Sequence, residues 1–320
     1  MKVHSYTNQL PVFEKAVITI GTFDGVHSGH RTILSLLREE AAAIKGESVI
    51  ITFHPHPRNI VQQNKDILLI NTIEEKTALL EAAGIDHLVI VPFTEVFSKM
   101  EASEYVDDFL IRRFKPHTVI IGYDHRFGKE RKGDYKLLEA YGARNAFVLK
   151  EIPEHIINNN TVSSTQIRNF LLNGNIADAN LLLGYPFFLQ GRVARGRQLG
   201  RTIGFPTANI ETGSLEKIVP ADGVYIVRIE LLTSPNKRGK LQGMINIGKR
   251  PTVQGTSRTL EVNIFDFNDN IYDTMLRIEF LQYLRSEQKF NGLEALKQQL
   301  NEDERQARFF FSENSKALNG

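Results

Sequence analysis

The hydrophobic rhythm of the chain changes partway along. In the first half, short β-branched runs alternate with amphipathic stretches. Strand-like runs cover 16–21, 47–53, 86–92, 116–122 and 144–150, and helical patterns fall near 30–44, 74–83, 103–114 and 134–141. Within the first of these helices, Ile33, Leu34, Leu37, Ala41 and Ile44 recur at helical spacing. Such alternation predicts a parallel sheet with helices on both faces. Two short helical patterns follow, 164–173 and 176–183. From Tyr185-Pro186 onward the segments become short and β-rich: 186–194, 207–211, 222–233, 240–247, 259–267 and 271–281. Turns such as Ser234-Pro235-Asn236 and Asn268-Asp269-Asn270 separate them. Six strands without intervening helices predict a small barrel or closed sandwich. Two helical segments, 292–300 and 302–311, come last. The pattern therefore predicts two domains, 1–184 and 185–320.

Composition narrows the class. At 320 residues and 42% hydrophobic content, each of two domains can bury a core. The net charge of +2 gives no signal for nucleic acid or a membrane surface. The absence of cysteine excludes a disulfide framework and fits a reducing compartment. The first residues, to Val17, lack the apolar stretch of a signal peptide, and no run approaches the ~20 apolar residues of a membrane span. The expectation is a soluble cytoplasmic protein, a monomer or weak homo-oligomer, with no nucleic-acid or membrane partner.

The densest chemistry of the first half is Gly21-Thr22-Phe23-Asp24-Gly25-Val26-His27-Ser28-Gly29-His30, between a β-branched run and an amphipathic one. A strand–loop–helix junction presents free N–H groups and the positive end of a helix dipole to an anion. His27 and His30 are three residues apart and reach one point from the first helical turn. Zinc is a weak rival, since there is no His-Glu-x-x-His and no cysteine ligand. Ser163-Ser164-Thr165-Gln166-Ile167-Arg168 opens a later helix, where hydroxyls either cap the helix or join Arg168 on a phosphate. Gly122 to Gly128 follows the fourth predicted strand, and its Asp124 and Phe127 either shape a turn or meet an acceptor ring. The set resembles the HxGH nucleotidyltransferase superfamily, which pairs a Gly-rich His-x-Gly-His loop with a distant Ser-Ser-Thr-x-x-Arg-type loop around ATP. The resemblance implies ATP contacts from Gly21, Phe23, Asp24, His27, Gly29, His30, Ser163, Ser164, Thr165 and Arg168. Transfer of this kind needs no protein nucleophile; it rests on positioning and charge stabilisation.

The second half carries another dense stretch, Gly191 to Asn209, with four glycines and four arginines. It is either a flexible basic loop or a wrap for an anionic ligand. Within Pro206-Thr207-Ala208-Asn209, residues two apart face the same way when extended, so Thr207 and Asn209 offer two neutral oxygens that suit Mg²⁺. In the alternating strand 259–267, Glu261 points away from Leu260, Val262 and Ile264. It is either a solvated carboxylate or the base that an alcohol acceptor requires.

This half looks like the riboflavin kinase module. The carriers are the Gly-rich loop, Pro206 to Asn209, Pro220-Ala221-Asp222-Gly223-Val224-Tyr225, Asn246 to Thr252, Glu261 to Phe267 and Phe280 to Glu287. Over roughly residues 14–312 the chain resembles the prokaryotic bifunctional riboflavin kinase/FAD synthetase family, including its domain order. The resemblance implies a Rossmann-like nucleotidyltransferase α/β domain followed by an all-β six-stranded antiparallel barrel with a C-terminal helix. It implies riboflavin, FMN, FAD and ATP as reactants and products, with Mg²⁺ on Thr207 and Asn209. It further implies kinase ATP contacts from Gly196, Arg201, Gly204, Thr207 and Asn209, Glu261 as base, His27 and His30 in adenylyl transfer, and flavin contacts from Asp124, Phe127 and Arg285. Two departures stand out: Asp273 follows Tyr272 where the family usually has Gly, and Asn263 stands where it often has His.

Overall fold

The computed structural model describes residues 1–7, 9–61, 67–145, 147–152, 162–196, 200, 203–233, 239–252 and 255–314. They form two compact units, Met1–Ser164 and Thr165–Gly320.

Among the described residues of the first unit, six strands make one sheet: β1 (Lys2–Ser5), β2 (Val17–Ile20), β3 (Ser48–His54), β4 (His87–Pro92), β5 (Thr118–Gly122) and β6 (Val148–Ile152). Their order is β1-β4-β3-β2-β5-β6, and every pairing is parallel. Strand side chains alternate between two cores. Ile18, Ile20, Val49 and Ile51 join Phe109 and Phe114 on one face. Val17, Ile50, Leu88 and Ile120 join Leu34 and Leu37 of the helix Ser28–Ile44 on the other. Burial on both faces is why these strands read as continuous apolar runs.

The sequence pattern does not reveal β1. Its residues are exposed or half-buried, and it adds to the sheet edge by backbone pairing with β4, which needs no apolar signature. The strand order reverses beside β2: the chain runs β2, β3, β4 to one side, then returns to place β5 on the other. The carboxyl ends of β2 and β5 therefore flank the topological switch point, where open α/β sheets bind ligands.

The second unit contains a closed antiparallel barrel in the order β10-β11-β8-β7-β12-β9. Its strands are β7 (Phe188–Ala194), β8 (Ala208–Glu211), β9 (Gly223–Leu231), β10 (Leu241–Thr252), β11 (Gly255–Ile264) and β12 (Met275–Arg285). The β10–β11 hairpin extends beyond the predicted 240–247 and 259–267, because backbone pairing such as Lys249 with Arg258 continues through a polar stretch.

The two helical segments expected at 292–300 and 302–311 are one helix, Leu293–Glu313. Within it Asp303, 1% exposed, lies on the inward face. Its carboxylate receives Arg285 Nε at 2.8 Å and Nη2 at 2.7 Å. A buried ion pair thus sits inside a helix that runs on through the polar stretch 301–306. The helix Ile176–Leu183 is tied to the barrel through Asn180, whose Nδ2 donates to the Phe280 carbonyl at 2.8 Å.

Candidate active sites

In the first unit the loop from Gly21 to His30 occupies the switch point. Gly21 N–H still pairs with the Ile51 carbonyl at 3.0 Å, continuing the sheet. Beyond it Phe23, Gly25 and Val26 take positive φ values of 47°, 92° and 36°. Left-handed backbone at a β-branched valine costs on the order of 1–3 kcal/mol, so the surroundings must enforce it. They do so by hydrogen bonds. The Thr22 carbonyl accepts from Thr52 Oγ1 at 3.2 Å and from Lys76 Nζ at 2.6 Å. The buried Asp24 carboxylate accepts from the backbone N–H of Ile70 at 3.0 Å and of Asn71 at 3.3 Å. Ser164 Oγ donates to the Asp24 carbonyl at 2.9 Å, which brings the second sequence motif to the first.

His27 is the N-cap of Ser28–Ile44, its Nδ1 accepting from His30 N–H at 3.4 Å. The two imidazoles stack with centroids 3.7 Å apart, and Phe23 lies 5.0 Å from the His30 ring. Burial lowers the His27 pKa to about 4, against a smaller opposing pull from Asp24. His30 is held well below its ordinary value by burial, then by His27 and Lys76. Both rings are therefore neutral near pH 7. Because Nδ1 of His27 is an acceptor, its single proton is assigned to Nε2, which becomes a donor. His30 Nδ1 is buried without a hydrogen-bond partner among the described residues.

The remaining first-unit candidates divide. Gly29 lies in the first helical turn, and Ser163 is exposed. Asp124 is exposed after β5, whereas Phe127 is 5% exposed and stacks on Tyr105 at 4.9 Å, inside the core beneath the rim. Thr165 and Arg168 belong to the second unit, Thr165 exposed and Arg168 buried. Sequence reasoning missed Lys76, whose pKa burial lowers to about 8. It lies one helical turn before buried Leu80 on the inward face of Ile73–Ala82, a placement that could have marked it.

In the barrel, register makes the site. β11 pairs with β8 so that Glu261 stands opposite Asn209 and Val262 opposite Ala208. Opposed residues of antiparallel strands share a face with Cβ atoms about 4.5–5.5 Å apart. Thr207 lies two residues before Asn209, so an amide, a hydroxyl and a half-buried carboxylate gather on one face. Gly196 permits this arrangement: a Cβ there would lie 1.9 Å from Asn209 Nδ2. Gly204 sits at φ 88° with open space around it, and Arg201 lies outside the described residues. Beside Thr207 opens a cleft of about 360 Å³ lined by Val193, Pro206, Ala208, Val262, Phe267 and Tyr272 among others. Arg285 is engaged by Asp303 and holds the terminal helix. Both departures from the family pattern find places. Asp273 has φ 63°, a conformation glycine favours and aspartate tolerates better than most residues. Asn263 Nδ2 donates to the Pro206 carbonyl at 2.8 Å.

A nucleotide-type loop at an α/β switch point and a carboxylate-bearing barrel define a two-unit phosphate-transferring enzyme. Residues 10–166 match the FAD synthetase family and residues 183–311 the riboflavin kinase family. The chain is 37% identical over 298 residues to the bifunctional riboflavin kinase/FMN adenylyltransferase of Escherichia coli K12, covering 93% of each protein. It is 35% identical over 302 residues to the protein of that description from Haemophilus influenzae, covering 94% of this chain and 96% of that one. A crystal structure from Streptococcus pneumoniae, described as a macrolide-efflux protein, superposes with a TM-score of 0.84 at 30% identity over 96% of this chain and 98% of that one. That description stays with the pneumococcal protein; among the described residues here, no helix is long and apolar enough to cross a membrane. The chain belongs to the bifunctional riboflavin kinase/FMN adenylyltransferase family.

Proposed function

We propose how the two activities of this family are divided along the chain and which residues carry them. The chain phosphorylates riboflavin to FMN with ATP and adenylylates FMN to FAD with release of pyrophosphate. Residues 1–184 are assigned the adenylyl transfer and 185–320 the phosphorylation, in line with the matched segments 10–166 and 183–311.

The observation that carries the kinase reading is the pairing of Glu261 with Asn209 across β11 and β8. Glu261 takes the proton of the riboflavin 5′-hydroxyl as that oxygen bonds to the γ-phosphorus of ATP and the bond to ADP breaks. The Thr207 hydroxyl and the Asn209 amide oxygen, two neutral oxygens, fit Mg²⁺, a hard cation that keeps several waters. Bound there, Mg²⁺ would neutralise phosphate charge. The cleft beside Thr207 takes the nucleotide of ATP.

In the first unit a phosphate oxygen of FMN attacks the α-phosphorus of ATP and pyrophosphate leaves. That nucleophile is already an anion, so no base is required. His27 donates through Nε2–H, the helix Ser28–Ile44 presents its first N–H groups, and Ser164 fixes the loop through Asp24. His30, stacked on His27, lines the same loop. Cytoplasmic location, which the absence of cysteine supports, and a monomeric or weakly associated state complete the reading.

The test supplies riboflavin or FMN separately, each with ATP, with and without Mg²⁺, and separates the three flavins. Riboflavin should pass through FMN to FAD, and removal of Mg²⁺ by a chelator should stop FMN formation. FMN formation that persists in chelator overturns the metal assignment.

A further inference from the structure

We propose that Asn263 is a positioning residue of the kinase site, holding the Pro206–Asn209 segment in register with Glu261. The inference rests on the roles given above to Glu261, Thr207 and Asn209.

The backbone ladder between β8 and β11 is short: Glu261 opposite Asn209, then Val262 opposite Ala208. Continued by one residue it would place Asn263 opposite Thr207, but there the pairing stops. Thr207 therefore lies beyond the stretch that strand pairing fixes. At that point the Asn263 side chain takes over, donating from Nδ2 to the Pro206 carbonyl at 2.8 Å. Asn263 is 7% exposed, and two residues from Glu261 it shares that residue's strand face. One side chain thus ties the base-bearing strand to the carbonyl just before Thr207. The far side of the segment is held independently, Phe205 N–H donating to the Gly200 carbonyl at 2.8 Å and Asn209 lying against Gly196.

The chemistry of the tie is specific. The acceptor is a carbonyl, so the side chain must bring an N–H or O–H. Aspartate has the shape of asparagine but donates nothing when ionised, and it adds a second negative charge to the face of Glu261. Histidine keeps a ring N–H donor.

The test uses the full chain. Asn263→Asp should lower kcat/KM for ATP in FMN formation about 10- to 100-fold, the scale for partners that orient a metal's ligands. It should raise the Mg²⁺ concentration for half-maximal rate while leaving the KM for riboflavin in place. Amide hydrogen exchange at Thr207–Asn209 should quicken without a general loss of protection in the barrel. FAD formation from supplied FMN should continue at the wild-type rate, and Asn263→His should restore most of the kinase rate. Wild-type FMN formation and exchange in Asn263→Asp, with Glu261→Gln inactive, overturns this inference alone. Wild-type kinase in both variants overturns the underlying site as well. Should Asn263→Asp fail to fold, Asn263→His decides: retained kinase supports the tie, and a folded but inactive protein overturns it.

Discussion

On the proposed assignment, the two units handle ATP with opposite chemical means. All nine histidines of the chain lie in the first unit and none in the second. The first unit buries titratable groups beneath a strained loop, so that His27 and His30 are neutral and Lys76 is inside, its pKa lowered to about 8. The barrel instead gathers neutral oxygens and leaves its carboxylate half-buried. The difference follows from the acceptor. A phosphate acceptor is already a nucleophile, so its site needs only oriented donors. An alcohol acceptor must lose a proton, so its site must keep a base that can receive one.

The contrast can be broken most sharply at Glu261, the proposed base. Glu261→Gln should cut FMN formation by about 10²- to 10⁴-fold, the range for general base catalysis. Flavin chromatography should show FAD still forming from supplied FMN. Next in size, His27→Ala should slow FAD formation about 10²- to 10³-fold, as for loss of one preorganised donor. Riboflavin should then accumulate as FMN. If either substitution stops both steps in a folded protein, the sites are not independent and the comparison fails.

A smaller effect is expected at Gly196→Ala, whose Cβ would collide with Asn209 Nδ2. A displacement of about 1 Å at a positioning group costs on the order of 10²-fold at most, read here in kcat/KM for ATP in the kinase step alone.

The mildest distinction is in pH dependence. His27 and His125 titrate near 4 in the folded protein instead of 6.5, and His30 lies well below 6.5. Between those values the unfolded chain binds protons that the folded unit refuses. The stability these groups contribute is full above about pH 6.5 and lost as the pH falls towards 4. In the second unit Glu302 is held near 2 by Arg305 and Gln306, so its contribution fades only below its ordinary 4.5. Hydrogen exchange at pH 7.5 and 5.5, read separately over Met1–Ser164 and Thr165–Gly320, should show protection lost from the first unit before the second. Equal loss would mean that the buried histidines do not set the acid limit.

Much of this is legible in the sequence, for identifiable reasons. Parallel strands buried on both faces write themselves as apolar runs, and the change to short β segments after Tyr185 marked the barrel. β1 was invisible because an edge strand pairs by backbone alone. The terminal helix reads as two segments because residues 301–306 are all polar, and its buried Asp303 is satisfied by Arg285 from a strand eighteen residues earlier. Taken alone, Lys76 gives no signal in the sequence, since a lysine on a helix ordinarily faces water.

The order of residues alone specifies which chemistry is available: a His-x-Gly-His loop after a strand, a Thr-x-Asn pair and a carboxylate on an alternating strand. Local spacing suffices for that, since periodicity places residues on a face of their own element. What it could not do was bring faces from different elements together. It takes the folded chain to set Glu261 opposite Asn209, to place Asn263 where the ladder ends, and to keep the two histidines neutral among buried neighbours. Register and desolvation depend on contacts between distant segments, and no local pattern encodes them.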